Sequence, residues 1–423
     1  MGSARKIGKK ALCLTVCAAA VAFAGSGIPL ASGEADLPGT AALSVGAPSD
    51  TGSSSVTAAA APTPGEKPGS TTADAQAAID KIAKKYHAVG VQVAVIENGT
   101  VTRTYEYGYA KKKSSPMTPD TKIRVASISK VILAMTIMRL SDQGLLDIDA
   151  DTGDYWGGAV RNPNYKGIPI TIRSMLSHTS SIRSLEYGYA VSGDIIRSRL
   201  LNGSCFTSRK PGLISSHYYN NYVFAVLGVL AEFATGETIN DIAKRELFSP
   251  LGIDAAFGAG YITDKDLVAT IYNSSGYVGQ SADSLKKAKG STFPGETGCQ
   301  YPGGLIISAS DLAKLIAALA NDGVYNDVRI LSAESVALME SSQGHTNGYD
   351  QCLPMRLRVN IYGQDELYYH TGSAYGELTT AAYNPVTKNG VVVLTTGAGG
   401  GRDSNYIPVV CAEIIKYVFG IID

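Results

Sequence analysis

Strand-like sequence occupies both ends of the foldable chain and helix-like sequence its middle, and that order limits what the chain can become. Near the N-terminal end, "VQVAVIENGTVTRTYEYGYA" gives two β-rich runs around Asn98-Gly99. That dipeptide favours the φ > 0 turn of a two-residue hairpin. Near the C-terminal end, "MRLRVNIYG", "ELYYHTG", "LTTAAYNP" and "GVVVLTTGA" read as successive strands. A helix is expected ahead of the first run, in "TADAQAAIDKIAKKYH". Ala75, Ala78, Ile79, Ile82 and Ala83 recur there at helical spacing behind a Thr72 or Asp74 cap. Another helix, "PVVCAEIIKYVFG", closes the chain. Residues from about 161 to 295 mix Pro/Gly loops with helical pieces such as "NYVFAVLGVLAEFATG". The order suits an α+β fold: an antiparallel sheet completed by both ends of the chain, flanked by N- and C-terminal helices, with a helical subdomain inserted. There is no internal repeat.

The first 72 residues are excluded from that fold. Arg5, Lys6, Lys9 and Lys10 precede the short apolar run "ALCLTVCAAAVAFAG", and "AFA" at 22–24 has the small-residue pattern of a cleavage site. Residues 1–24 therefore read as an export signal, too short to span a bilayer. Residues 25–72 are Ala, Ser, Thr, Gly and Pro with few large apolar side chains, a linker expected to lack structure. The folded domain is expected over 73–423, on the extracytoplasmic side, with no stable membrane span once the signal is removed. Lys+Arg and Asp+Glu both number 37, which leaves none of the basic excess that a phosphate-binding surface carries, so nucleic acid is not an expected partner.

Three polar clusters carry chemistry. In "TKIRVASISKVILAMTIMRL" a helix is expected after "TPDT", running to about Gln143 with Gly144 as its stop. Ser127 stands three residues before Lys130, and residues at that spacing share a helix face. An unactivated serine is a poor nucleophile, and an amine one turn away could take its proton. Ser129 points elsewhere and is expected to be a capping or surface hydroxyl. In "HYYNNYVFAVLG", Tyr219 and Asn221 form a Y-x-N ahead of an apolar helix, and Tyr218 and Asn220 fit the same pattern. A phenol near a lysine can have its pKa lowered and carry a proton. In "YYHTGSAYG", His370, Thr371 and Gly372 lie on an expected strand. Glycine there would let a substrate backbone lie alongside, and the Ser373 N–H could supply half of an oxyanion hole.

Together, in this order, the clusters resemble those of the serine β-lactamase and penicillin-binding-protein superfamily. The landmarks "TPDTKIRVASISK", "LSDQGLLDID", "ITIRSMLSHTSSI", "FSPLGI", "PGGLIISASDLAKLI" and "HTGSAYG" are similar to those of its class C β-lactamase and D-alanyl-D-alanine carboxypeptidase branch, peptidase family S12. The resemblance covers about residues 75–423 and implies a β-lactamase/transpeptidase-like fold. Counting back from Gly228, the family's spacing selects Tyr219 and Asn221. It further implies that Ser127 attacks a carbonyl to form an acyl-enzyme, with Lys130 and Tyr219 managing protons. The Ser127 and Ser373 amides would hold the oxyanion, and Asn221 and Thr371 would orient the substrate. No cofactor or metal is implied. His178 falls in a landmark outside the catalytic motifs and is expected to be structural, while His87, His217 and His345 are expected on the surface or in packing.

The chain departs from the family at three places. His370 stands where many β-lactamases carry lysine, as in carboxypeptidase and esterase members. Arg356 and Arg358 replace two glycines of the preceding strand and share a face by strand alternation. A guanidinium there suits a substrate carboxylate, although a solvent-facing basic pair is an equal alternative. Ser181 replaces a glycine, which suggests an altered loop near the cleft. The reading is a secreted serine hydrolase or acyltransferase acting on a small-molecule or peptide acyl substrate of D-alanyl type. Alternatives are an esterase, amidase or transacylase for another acyl group, a class C-type β-lactamase, or a penicillin-binding sensor with slow turnover. Cys299 and Cys352 flank the segment between the "PGG" landmark and the arginine strand and are expected to form a disulfide.

Overall fold

The computed structural model describes residues 71–185 and 191–423; the expected export signal and the expected linker as far as residue 70 lie outside them. The first helix, α1 (Thr72–Lys85), starts one residue earlier than the sequence suggests. Its cap is Thr71, not Thr72 or Asp74: the Thr71 side chain accepts from the Asp74 N–H, and the Asp74 carboxylate accepts from the Thr71 N–H. Reciprocal capping of this kind settles two otherwise unpaired amides.

β1 (Gly90–Glu97) and β2 (Thr100–Lys111) then form the hairpin, with Asn98 at φ 50 and Gly99 at φ 76. Those positive values are what the Asn-Gly turn needs. A short β3 (Ser115–Pro116) follows. The C-terminal part adds β4 (His345–Thr346), β5 (Tyr349–Gln351), β6 (Arg356–Ile361), β7 (Gln364–Ala374), β8 (Glu377–Asn384) and β9 (Asn389–Thr396). The nine strands form one sheet in the order β4-β5-β6-β7-β8-β9-β1-β2-β3. β1 pairs antiparallel with β9, from Gly90 opposite Thr396 to Ile96 opposite Gly390, so the two ends of the chain close one sheet.

β1 is buried along nearly its whole length rather than on alternate residues because it is covered on both faces. Val91, Val93 and Val95 pack with Ala75 and Ile79 of α1 and with Ile414 and Val418 of the last helix, α5 (Val409–Ile422). Ala94 and Ile96 face the other way, toward Leu312 and Ile316 of α4 (Ala309–Ala320) and the helical subdomain. Each fully buried Val or Ile in these layers contributes about 1.5–3 kcal/mol.

α2 (Ser129–Asp142) and, from the helical subdomain, α3 (Asn221–Thr235) run through the core. α2 begins at Ser129, later than expected, because Ile123–Arg124 pairs as a short strand with Leu305–Ile307 and a single 3₁₀ turn, Ala126–Ile128, joins strand to helix. No disulfide joins Cys299 to Cys352, which corrects the expected pairing. Cys352 is fully buried in the core, with its thiol directed at the Asp350 carbonyl and burial pushing it up to about 12. Cys299 lies half-buried in a different loop, where Gln300 Nε2 donates to its sulfur. Flanking one segment in sequence did not bring the two together in space.

Candidate active site

The 3₁₀ turn before α2 sets the position of Ser127. Ala126 adopts φ 47, an uncommon backbone for a residue with a side chain. The turn is held from behind by Ser129, which is buried rather than on the surface as expected: its Oγ donates to the Ala126 carbonyl at 2.6 Å and accepts from the Leu305 N–H at 3.0 Å. Ser127, half-buried, is left with its hydroxyl open toward Lys130.

Lys130 is completely buried. Its Nζ donates to Ser127 Oγ at 3.1 Å and to the Pro302 carbonyl at 2.7 Å. It also lies 5.1 Å from the Tyr219 ring centroid and 5.6 Å from that of Phe224. Burial lowers the pKa of the amine, only partly opposed by Tyr219. Tyr219 is drawn in the same direction. Burial alone would raise it, but the Lys130 charge and hydrogen bonding with Ser127 and Lys130 bring the phenol below its ordinary value. An amine and a phenol that both give up protons readily, beside a serine hydroxyl, can pass a proton to and from that hydroxyl.

Of the two Y-x-N registers, only one places its tyrosine at the serine. Tyr218 is exposed with Arg209 over its ring, and Asn220 is buried, capping α3 by accepting from the Val223 N–H. Asn221 opens α3 with an exposed side chain, and no contact joins it to Ser127 or Lys130 among the described residues.

β7 brings in the third cluster. The Cβ of any side chain at Gly372 would lie 2.4 Å from the Val125 carbonyl and 3.1 Å from the Ser127 nitrogen, so only glycine lets this strand lie against the Ser127 turn. Thr379 on β8 seals the contact, donating to the same Val125 carbonyl at 2.9 Å. Ser373 follows at the exposed end of the strand and Thr371 is nearly buried. His370 is buried, and its Nδ1 donates to the Thr371 carbonyl at 2.9 Å. Burial and the nearby Arg356 and Lys130 charges hold it well below its ordinary pKa, hence neutral.

The two arginines part company. The Arg356 guanidinium lies 5.9 Å from the Tyr219 ring and 4.5 Å from that of Tyr349. Arg358 instead donates through Nε to Tyr369 Oη at 3.3 Å. Arg356 thus faces the serine–lysine–tyrosine cluster and Arg358 does not.

Two further neighbours complete the cluster: Pro302, which sequence reasoning missed, and His178, expected to be structural. Pro302, in the "PGG" landmark, supplies the carbonyl on the lysine. His178 supports the tyrosine: its ring lies 4.6 Å from Tyr219, and its Nδ1 accepts from the Asn220 N–H at 3.2 Å. His217 stands edge-on against His178, with burial pushing it down to about 4. Ser181 keeps a glycine-like φ of 60, and its Oγ accepts from Asn162 Nδ2 at 2.9 Å.

Residues 75–412 match the family model described as Beta-lactamase. The chain belongs to the Beta-lactamase family. It is a serine hydrolase of the β-lactamase and penicillin-binding-protein superfamily with the β-lactamase/transpeptidase-like fold. It is 26% identical over 270 residues to penicillin-binding protein 4 of Amycolatopsis lactamdurans, covering 62% of this chain and 68% of that one. To the D-alanyl-D-alanine-carboxypeptidase/endopeptidase AmpH of Escherichia coli K12 it is 25% identical over 171 residues, or 39% of this chain and 44% of AmpH. The class C β-lactamase of Rhodobacter sphaeroides superposes with a TM-score of 0.63 at 20% identity, covering 82% of this chain and 99% of that one. Among the described residues of this β-lactamase-family chain, no helix alone is long and apolar enough to cross a membrane, and no cluster of His, Cys, Asp and Glu could hold a metal.

Proposed function

We propose that this protein is an exported, acyl-transferring serine hydrolase of the D-alanyl-D-alanine carboxypeptidase type, with Ser127 as nucleophile. One observation carries the reading: a fully buried lysine amine that donates to the Ser127 hydroxyl and otherwise to a neutral carbonyl. Ser127 Oγ attacks the substrate carbonyl carbon while its proton passes to the Lys130–Tyr219 pair. The bond to the leaving group breaks, the pair returns a proton to that group, and the acyl chain stays on Ser127 as an ester. Water or an amine acceptor then attacks the ester by the same route and restores the hydroxyl. The Ser127 and Ser373 amides hold the oxyanion, each donor of this kind contributing roughly 3–4 kcal/mol.

The substrate class rests on charge. His370 adds none, whereas Arg356 sets an always-charged planar fork beside Tyr219. A leaving group with a free carboxylate, as in a D-alanyl-D-alanine peptide, suits that fork. The names of penicillin-binding protein 4 and AmpH agree with this class. The composition of residues 1–24 supports export.

The test is mass spectrometry of the intact protein after separate incubation with a penicillin, a diacyl-D-Ala-D-Ala peptide and an activated ester. A Ser127-borne adduct is expected from all three, shortest-lived with the peptide. Acylation by the ester alone would favour the esterase alternative. A penicillin burst without turnover of any substrate would make the protein a sensor, and an adduct on another residue would remove the assignment.

A further inference from the structure

A buried ion pair that belongs to none of the three clusters stands directly behind the nucleophile. Arg124 ends the short strand just ahead of Ser127, and its Nη1 donates to Glu377 Oε1 at 2.8 Å, with the Glu377 side chain wholly buried. Glu377 opens β8 and pairs with Ala374, the last residue of β7, across the turn Tyr375–Gly376. The pair therefore ties the chain leading into Ser127 to the turn leaving Ser373. The same guanidinium lies 4.8 Å from the Tyr375 ring centroid. It also comes within 3.5 Å of where a Cβ on Gly303 would sit, next to the Pro302 whose carbonyl receives Lys130. One cation thus touches the nucleophile turn, the β7–β8 turn and the Pro302 loop.

A carboxylate buried for stability alone is normally saturated with donors. Glu232 is such a case, accepting from Tyr301, Ser291 and the Ile239 and Gly295 amides. Glu377 is different, because its Oε2 is buried with no hydrogen-bond partner.

We propose that the Arg124–Glu377 pair is a positioning device for acyl transfer, holding the Ser127 and Ser373 amides at the separation an oxyanion requires, and that it works only while Glu377 is ionised. The inference rests on the Ser127 reading above. Oxyanion donors lower the barrier when they are in place before the charge develops, so a tether between their two carriers acts on the rate rather than on binding.

The carboxyl can lose its charge under mild conditions: burial pushes it up to about 7, opposed by Arg124. The charged and titratable groups around it are Arg124, Tyr375 on its own turn, and Tyr272, whose backbone packs on Gly376; Thr396, opposite on β9, is neutral. The folded value lies above the ordinary one. The stability linked to this carboxyl is therefore greatest when it is protonated and is lost as pH rises through about 7.

The experiment follows covalent labelling by a fluorophosphonate, which forms a P–O bond to an activated serine with loss of fluoride, from about pH 5.5 to 8.5. Wild type should label faster as pH rises through about 7. Glu377→Gln, the neutral isostere, should label at about a tenth to a hundredth of the wild-type rate at the alkaline end, with reagent affinity unchanged and the limb near neutrality gone. The pH dependence that the Lys130–Tyr219 pair imposes should be the same in both proteins. Labelling of Glu377→Gln at the wild-type rate, or with the neutral limb intact, would overturn the proposal. Arg124→Lys, which keeps the charge, should retain the limb, so a Glu377→Gln protein that fails to fold still leaves a decisive comparison with Arg124→Gln. Labelling of Ser127→Ala, or none of wild type, would instead overturn the nucleophile assignment.

Discussion

Lys122 and Lys130 stand on either side of Ser127 in the chain, and both are buried. Lys122 meets Asp311, in the first turn of α4, at 2.7 Å, and Asp311 also receives Lys314 at 2.9 Å. Lys130 has no carboxylate partner: it meets the Ser127 hydroxyl, the Pro302 carbonyl and the Tyr219 phenol. A lysine paired with a buried carboxylate acts as a tie between elements. A lysine with neutral acceptors is less costly to deprotonate, and burial then makes its proton mobile. The partner, not the depth, separates the two.

The sharpest way to break this contrast is at the reacting atoms. Ser127→Ala and Lys130→Ala should each lower acylation by about 10⁴- to 10⁶-fold, and the double variant should be no worse than either, because members of one catalytic unit do not add. Mass spectrometry of adduct formation checks this. A double variant far slower than both singles would mean that the two residues act separately.

Methionine at each lysine tests the other half. Lys122→Met leaves Asp311 short of its main partner in a buried setting and should lower stability by about 3–5 kcal/mol, with acylation by the folded protein retained. Lys130→Met removes a buried charge that no carboxylate offsets, so its unfolding free energy should match or exceed wild type, by up to about 4 kcal/mol, while acylation is lost. Denaturant titration reads both. A destabilised Lys130→Met beside an unaffected Lys122→Met would reverse the assignment of roles.

Arg356 and Arg358 extend the comparison to the substrate. Only Arg356 faces Tyr219. Blocking the leaving-group carboxylate, or Arg356→Ala, should lower kcat/KM on a free-carboxylate substrate by tens- to thousands-fold, about 2–5 kcal/mol. Arg358→Ala should behave as wild type. Equal rates on free and blocked substrates would remove carboxylate recognition.

Local signals in the sequence carried most of the fold and part of the site. Asn98-Gly99 names its own turn, and Val91, Val93 and Val95 on one face of β1 with Ala94 and Ile96 on the other report a strand covered on both sides. The Ser127–Lys130 spacing was legible because a single turn brings the pair together. What was hidden depends on contacts across long stretches of chain. The choice of Tyr219 over Tyr218 depends on how the loop before α3 meets His178, and residue types alone left both open. The Pro302 carbonyl leaves no side-chain trace, and Arg124 and Glu377 look like ordinary charges until β7 and β8 fold back. Cys299 and Cys352 failed for the same reason, since proximity along a segment says nothing about its path. Asn221 fitted the motif, yet the structure leaves its side chain exposed at the head of α3.

The smallest expected effect lies on the scaffold side, at Ser181. A side chain at φ 60 costs about 1–2 kcal/mol relative to glycine, part of which glycine returns through its greater freedom when unfolded. The Ser181 hydroxyl accepts from Asn162 Nδ2, but that amide also donates to the Thr207 and Arg209 carbonyls. Two hydrogens serving three acceptors remain satisfied when one acceptor is lost, so the hydroxyl contributes less than a usual hydrogen bond. Ser181→Gly should therefore melt at or slightly above wild type, whereas Ser181→Ala keeps the strain and loses the contact. The two should differ by about 1 kcal/mol in favour of glycine, with acylation unchanged in both. An alanine variant more stable than the glycine variant would show that the hydroxyl and backbone strain do not govern this turn. A loss of acylation in either would move Ser181 from the scaffold to the reactive side of the contrast.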